Sequence, residues 1–546
     1  LRRIQSLFSE EVRLKFLPRP WLLVAAILFA GCNRQSSTVE RLGILPANLL
    51  ISDPAFGWLK EAVPIALQYD LLTAHTLVAG LAADESGATR GGATRVLRTS
   101  IESRQGGLHI ESTIVDATTE KVLKVAASDA SSASVILPAL NTLAKKIDPD
   151  AIEFSTRIQA AWQALATAEE NTNPQQRAQF LNQAISRDQN FGFAWVSLME
   201  MIVPNRQADL QNMIDEGKAH RAGFSPFDRA KFDLVLDRLS NAAPAEQIRS
   251  AQEALKLAPN DLEVLTTLGN YQLLQGDLAG GEKSLRRAIA LNPANISLRF
   301  QLGRGLMELR KFKEAETVLA SMDKTPAVYP ELAACTLLQG DKARASIQAE
   351  KFIASIQNEE LRPLLRADWE VLSGDRQQGI DLILGTKFPT PNVQTLALSQ
   401  AVIWQLMGHD YSGVEKTVAR LKQAPGPLSP LPVVADLLAD KTSSAADWRN
   451  KVQRADLPDS VRDPLLAYGF FLRGNYDDAT KAWQHIAEVS HGTDLHARAM
   501  LASSLDHLGK AADAHRIAVI PFAPDFSDLY AAIAFTEMRR MLSQSA

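Results

Sequence analysis

The sequence predicts a mainly α protein: a long solenoid of repeated helical hairpins preceded by a small α/β (α+β) domain. Three observations carry that expectation. Between residues 259 and 326 the chain matches itself at a shift of 34 residues, which places Pro259 on Pro293, Leu268-Gly269 on Leu302-Gly303, Gly281 on Ala315 and Leu285 on Leu319. Turn-forming residues recur at nearly constant steps through the rest of the chain. Ahead of them, around residues 96–115, the apolar period is that of strands.

Length and composition agree. A chain of 546 residues exceeds one ordinary core and suits several domains or a solenoid. Its hydrophobic fraction of 46% and charged fraction of 22% are those of a chain that buries a core. The formal net charge of −4 offers no clustered basic face, which sets nucleic acid aside as a partner.

The first residues have a separate logic. Arg13, Lys15 and Arg19 precede an apolar run over residues 21–30, which ends in Leu28-Phe29-Ala30-Gly31-Cys32. Ten apolar residues behind a positive flank are too few to span a bilayer and suit the core of a secretory signal. The small residues before the cysteine resemble the lipobox of bacterial lipoproteins. That resemblance implies a signal peptide over residues 1–31, cleavage before Cys32, lipidation of Cys32, and a polar tether over residues 32–40. Loss of residues 1–31 removes five basic and two acidic side chains, so the net charge moves from −4 to −7. Buried acyl chains, at ~0.8 kcal/mol per methylene, would hold the chain at a membrane. The expected location is the bacterial cell envelope, facing the periplasm; Asn33 after the cysteine resembles signals that favour the outer membrane. The other cysteine, Cys335, sits among alanines and reads as a packing thiol rather than a nucleophile.

Residues 41–150 form the α/β domain. Residues 41–46 read as a short strand stopped by Pro46. Residues 54–70 carry Phe56, Leu59, Val63 and Leu67 at helical spacing, with a kink expected at Pro64. Residues 96–103 and 108–115 flank Gln105-Gly106-Gly107 as a hairpin, in which Leu108, Ile110 and Ile114 alternate with polar residues. A third strand is expected near residues 121–126 and a closing helix over residues 135–147. Gly87-Ala88-Thr89-Arg90 and Gly92-Ala93-Thr94-Arg95 read as a surface loop rather than an anion nest, because no helix start follows closely. The order of elements, with Leu97, Ile101, Gly106-Gly107-Leu108-His109-Ile110 and Val115-Asp116-Ala117, resembles the TolB-like amino-terminal domain. That resemblance implies a non-catalytic domain of the kind found ahead of helical repeats in envelope proteins.

The array is expected over residues 151–520, near eleven hairpins. Gly276, Arg310, Gly340, Gly374, Gly408, Lys441, Gly474 and Gly509 follow at steps of 34, 30, 34, 34, 33, 33 and 35, and Asn171, Asn205 and Asn241 continue upstream at 34, 36 and 35. Residues 423–432 read as a longer loop and residues 441–457 as the weakest unit. A helix over residues 527–541, within a terminal segment of residues 521–546, closes the end, as stacked repeats need an atypical last element. Small residues where two helices approach, large apolar ones between them and a proline after the second helix resemble the tetratricopeptide repeat. The resemblance implies a concave face lined by first helices that holds proteins or peptides. Its peptide-binding positions fall here on Thr266, Asn270, Phe300, Gln301, Arg304 and Met307.

No residue pattern demands catalysis, a cofactor or a metal. Residues 276–284 mimic a phosphate loop but place Glu282 between glycine and lysine, on a helical hairpin rather than a strand-loop-helix. His485, His491, His496, His507 and His515 gather late in the sequence, yet no pair has the i, i+4 spacing of a metalloprotease. The chain reads first as a non-enzymatic, lipid-anchored envelope scaffold that binds proteins or peptides. An assembly or export factor handling unfolded or polymeric clients is the second reading, and a metal-dependent hydrolase using the late histidines the third.

Overall fold

A computed structural model describes residues 39–104, 106–132, 135–201, 207–240, 242–322, 326–423, 431–440, 444–491, 494–519 and 531–544. Cys32 and the expected signal and tether up to residue 38 lie outside them, as do Asn205, Asn241, Lys441, most of the loop at 423–432 and the start of the terminal segment.

The amino-terminal domain is a mixed sheet with helices on both faces. Its strands are β1 (Glu40–Ile44), β2 (Asn48–Leu50), β3 (Leu77–Leu81), β4 (Arg95–Arg104), β5 (Gly107–Asp116) and β6 (Val122–Ala130), and its helices α1 (Leu59–Asp70), α2 (Glu85–Arg90) and α3 (Ile136–Ile147). The order is β3-β1-β4-β5-β6, with β2 also beside β4. β1 runs parallel to β3 and β4, whereas β4, β5 and β6 form the antiparallel meander expected from the alternation. Arg104 pairs with Gly107, and Gly106 takes φ +84° in the turn between them, a region glycine enters without steric cost. One face of the sheet buries Leu97, Ile101, Leu108 and Ile110 with α1 and α3. The other buries Val96 and Val115 against Ala88 of α2.

β3 and α2 are absent from the sequence reading, and residues 87–90 correct it. They belong to α2, which Asp84 caps by accepting a hydrogen bond from Gly87 N at 2.6 Å. Gly43 in β1 makes room for this helix, since a Cβ there would lie 2.7 Å from the Ala88 Cβ. Arg95, from the second copy of the motif, is committed to Glu40 at 3.0 Å and Asp116 at 2.8 Å.

Among the described residues, 22 α-helices follow one another from Gln159 in eleven successive pairs, most of them packed as hairpins. In order they are Gln159–Glu170 with Pro174–Arg187, Gly192–Glu200 with Gln207–His220, Pro226–Leu239 with Pro244–Leu257, Leu262–Gln275 with Leu278–Leu291, Ile296–Glu308 with Phe312–Ala320, and Tyr329–Leu338 with Lys342–Ser355. The remainder are Arg362–Ser373 with Arg376–Gly385, Pro391–Met407 with Tyr411–Gln423, Leu431–Ala439 with Ala445–Arg454, Asp459–Leu472 with Tyr476–Val489, and Leu495–His507 with Ala511–Ile517. A last helix, Ala531–Gln544, stands alone.

The turn residues have the physical role their spacing suggests. Gly276, Gly340, Gly374, Gly474 and Gly509 have φ between +75° and +107°, the left-handed conformation that ends a helix, and Arg310 and His409 adopt it without being glycine. The aspartates next in sequence start the following helix: Asp277, Asp341 and Asp375 accept from the backbone N–H three residues on at 3.0, 3.0 and 3.1 Å. The 34-residue match is a packing match too. A Cβ on Gly269 would lie 2.9 Å from Leu285 Cγ, and one on Gly303 would lie 2.5 Å from Leu319 Cδ2, so glycine lets the paired helices touch.

Packing does not divide the chain at residue 150. One apolar core runs from Leu42 of β1 through the first three hairpins to Ala258, and a second runs from Leu273 to Phe535. Trp162 of the first hairpin donates its indole N–H to the Ala62 carbonyl of α1 at 3.2 Å and meets Trp58 edge-on at 4.8 Å. Among the described residues no helix is long and apolar enough to cross a membrane.

Candidate functional site on the inner face of the array

In a stack of hairpins each unit contacts its neighbours, so contacts between units distant in sequence report how far the stack turns. Arg498, on the first helix of the eleventh hairpin, donates to the Leu274 carbonyl of the fourth hairpin's first helix at 3.0 Å. Arg539 of the terminal helix donates to the Leu372 carbonyl of the seventh hairpin's first helix at 3.0 Å. Both contacts involve first helices, and the array turns far enough for its fourth and eleventh units to touch.

Much of the inner face is covered. At the amino-terminal end, Tyr69 of α1 packs on Phe193 and Phe227, with ring centroids 5.3 and 6.1 Å away, and donates its hydroxyl to Asp228 at 2.8 Å. Asn260, ahead of the fourth hairpin, donates to the Ala74 and His75 carbonyls, both at 3.1 Å. At the carboxy-terminal end, every residue from Ala397 to Leu406 on the eighth hairpin's first helix is buried, Gln400 and Gln405 included. A lining helix open to solvent would keep one stripe exposed. The terminal helix contributes Ala532, Ile533, Ala534 and Phe535 to the same apolar core.

Between these regions lie the fourth and fifth hairpins, which carry all six expected binding residues. Asn270, Phe300 and Gln301 are half-buried, and Gln301 keeps its buried Oε1 without a hydrogen-bond partner among the described residues. Thr266 uses its hydroxyl on its own helix, donating to the Leu262 carbonyl at 2.6 Å. Two residues depart from the expected lining. Met307 is only 2% exposed and belongs to the core, because its position on the helix faces the neighbouring hairpin. Arg304 is the counter-charge, at 3.8 Å, of Glu331 on the sixth hairpin, a carboxylate otherwise without hydrogen bonds and almost fully buried. Burial pushes the Glu331 carboxyl up to about 8, opposed by Arg304. Glu308 completes the set: burial pushes it up to about 7, against the attraction of Arg498 and Arg304.

A second polar cluster, which the sequence reading missed, closes the joint between domain and array. A cavity of about 280 Å³ lies between α1, β3 and the first helices of the second to fourth hairpins. At its edge the Lys231 ammonium sits 2.6 Å from Glu263 and 3.6 Å from Asp261. Burial works against this charge, but Asp261, Glu263 and Glu200 outweigh it and raise the lysine pKa. Burial and the neighbouring Glu263 push Glu200 up to about 7. These groups satisfy one another across three hairpins, which makes them a joint. No periodic signal reveals it, because its members come from separate turns of separate repeats.

Among the described residues, no group of three or more His, Cys, Asp or Glu side chains is placed to hold a metal. His507 instead stacks on Tyr476 at 4.3 Å and meets Glu537 at 3.1 Å. Cys335 is buried, which pushes its thiol up to about 12, and it lies 3.2 Å from the Phe312 carbonyl. The stretch resembling a phosphate loop is a hairpin turn and a helix capped by Asp277.

No family model matches the sequence, and no curated protein matches it. Among solved structures, the chain is similar to a tetratricopeptide repeat protein from Parabacteroides merdae ATCC 43184, at 14% identity and TM-score 0.31, over 42% of this chain and 92% of that one. It is also similar to a chain of the APC/C hetero-tetramer Cut9-Hcn1, at 13% identity and TM-score 0.27, over 68% of this chain and 75% of that one. A third similarity is to a chain of Naa15/Naa10 bound to HypK-THB, at 14% identity and TM-score 0.27, covering 65% of this chain and 62% of that one.

Proposed function

We propose that this protein is a non-enzymatic scaffold of the bacterial cell envelope, lipid-anchored through Cys32, which holds segments of other proteins on the inner face of its hairpin array. The reading is supported most by the fourth and fifth hairpins, where Asn270, Phe300 and Gln301 remain half-buried between two covered regions. Amides at that depth can grip an extended or helical backbone, and a half-buried ring accepts an apolar side chain. The resemblance of residues 41–150 to TolB-like domains fits the same setting. A membrane tether suits such a scaffold, because confinement raises the effective concentration of neighbouring partners.

Photo-crosslinking side chains placed at positions 270 and 301 test the face in intact cells, with position 347 on a second helix as the control; Ile347 is 58% exposed. Adducts with other proteins are expected at 270 and 301 and not at 347. Identical patterns at all three positions would remove the groove. The anchor has its own test: Cys32→Ser is expected to shift the chain from the detergent phase to the aqueous phase on phase partitioning, and an unshifted chain would refute lipidation.

A further inference from the structure

The terminal helix Ala531–Gln544 is bound as a ligand would be. Its Ala534, Met538 and Met541 fall at i, i+4 and i+7, the spacing of one helical face, and all three are buried. Met538 and Met541 pack on Ala499, Ala502, Ala514 and Val519 of the eleventh hairpin, and Ile533 and Phe535 enter the larger core of the array. The surface under the methionines is built of small residues, which lets a helix backbone come close, and methionine adapts to shallow apolar surfaces.

The polar contacts are few and specific. Glu537 accepts from Ser503 Oγ at 2.8 Å and from Arg540 Nε at 3.0 Å, and lies 3.1 Å from His507 Nε2. Arg540 pairs with Asp506 at 2.9 Å. Across the hollow, Arg539 reaches the Leu372 carbonyl. The far end of the helix shares a cavity with Glu308 and Arg310, so it abuts the fifth hairpin, where the open part of the inner face begins.

We propose that Ala531–Gln544 is a resident intramolecular ligand of the eleventh hairpin, and that the partner recognised there is another protein's amphipathic helix of the same chemistry. Such a segment carries apolar side chains at i, i+4 and i+7, an acid one residue before the second of these, and a basic residue one position after it. It binds by exchange with the chain's own helix, so its intrinsic affinity is scaled down by the fraction of time that helix is undocked. The inference rests on the scaffold reading and names the class of its partner.

The experiment uses the full chain and, as probe, a fluorescent peptide with the sequence of residues 529–546. The double variant Glu537→Ala with Arg539→Ala removes contacts made by the resident helix and leaves its receiving surface unaltered. It is expected to speed hydrogen exchange of the amides of residues 533–544 and to bind the peptide at least ~10-fold more tightly than the unmodified chain. Unchanged exchange would mean that these contacts do not hold the helix, and unchanged peptide affinity would mean that the vacated surface takes no helix; either result overturns the proposal. A concentration-dependent dimer of the double variant would assign the surface to a second copy and overturn the partner assignment. Because the probe is the chain's own sequence, a negative result here leaves the crosslinks at 270 and 301 standing, and their loss leaves the peptide result standing.

Discussion

Arg304 shows how a residue chosen for one role serves another. Sequence spacing places it on the lining of the groove, and it does lie on a first helix, but its charge faces Glu331 in the interior, a carboxyl that burial keeps protonated up to about pH 8. Removing one partner of a buried pair leaves the other uncompensated and costs on the order of 3–5 kcal/mol. Glu331 can take up a proton once Arg304 is gone, so Arg304→Ala is expected to lower thermal stability by less than that at pH 8, and by less still at pH 6, where Glu331 already holds its proton. The unmodified chain has a related pH dependence. Glu331 has its folded pKa raised to about 8, so between its ordinary value and 8 the unfolded chain releases a proton that the folded chain keeps. Stability contributed through this group is greatest at acidic pH and declines as pH rises through that window. Glu331→Gln is expected to flatten the decline, as measured by thermal melts at pH 5, 6, 7 and 8; an unchanged slope would locate the dependence elsewhere.

At the scale of the element, the hairpin turn is the unit the sequence states most clearly. Glycine followed by aspartate means a helix ended in the left-handed region and a new one capped at once, and Gly276-Asp277, Gly340-Asp341 and Gly374-Asp375 do this. His409 occupies the same conformation, at φ +57°, with a Cβ that disfavours it. His409→Gly is expected to stabilise the eighth hairpin by about 0.5–1 kcal/mol, the relief of strain exceeding the added freedom of the unfolded chain. A calorimetric midpoint that falls would show that the tilted contact of its ring with Tyr411, at 6.3 Å, matters more. Other elements left no such mark. β3 carries the short run Leu77–Leu81 without alternation, since it pairs with β1 along one edge and packs Val78 against the cluster of Leu265 and Leu298 from the fourth and fifth hairpins. α2 is a single short turn set by Asp84 and by the missing side chain of Gly43, which is a contact between segments remote in sequence.

For the whole molecule, the decisive feature is that the sheet domain and the first three hairpins share a core. Trp162 is fully buried at their junction. Trp162→Ala is expected to cost ~3–5 kcal/mol and to raise hydrogen exchange in α1 and in the first hairpin together. Faster exchange confined to the hairpin would mean that the two parts open independently. The second feature of this scale is closure: Arg498 meets Leu274, and the terminal helix spans from the eleventh hairpin to the seventh. The helix itself was legible as a closing element, but its contact with the seventh hairpin was not, because curvature sums small rotations over many repeats and no single repeat records the total.

The sequence by itself determined the repeat. A period of 34 residues, glycines where helices touch and left-handed turns are local requirements, and each repeat must satisfy them from its own residues. It also placed the six candidate residues on the first helices of the fourth and fifth hairpins. Tertiary structure alone decided which of them remain available, because that depends on what another part of the chain lays against them. Arg304 is committed to Glu331 and Met307 to the core, whereas Asn270, Phe300 and Gln301 stay half-buried; the amino-terminal domain and the terminal helix, from opposite ends of the sequence, cover other parts of the array.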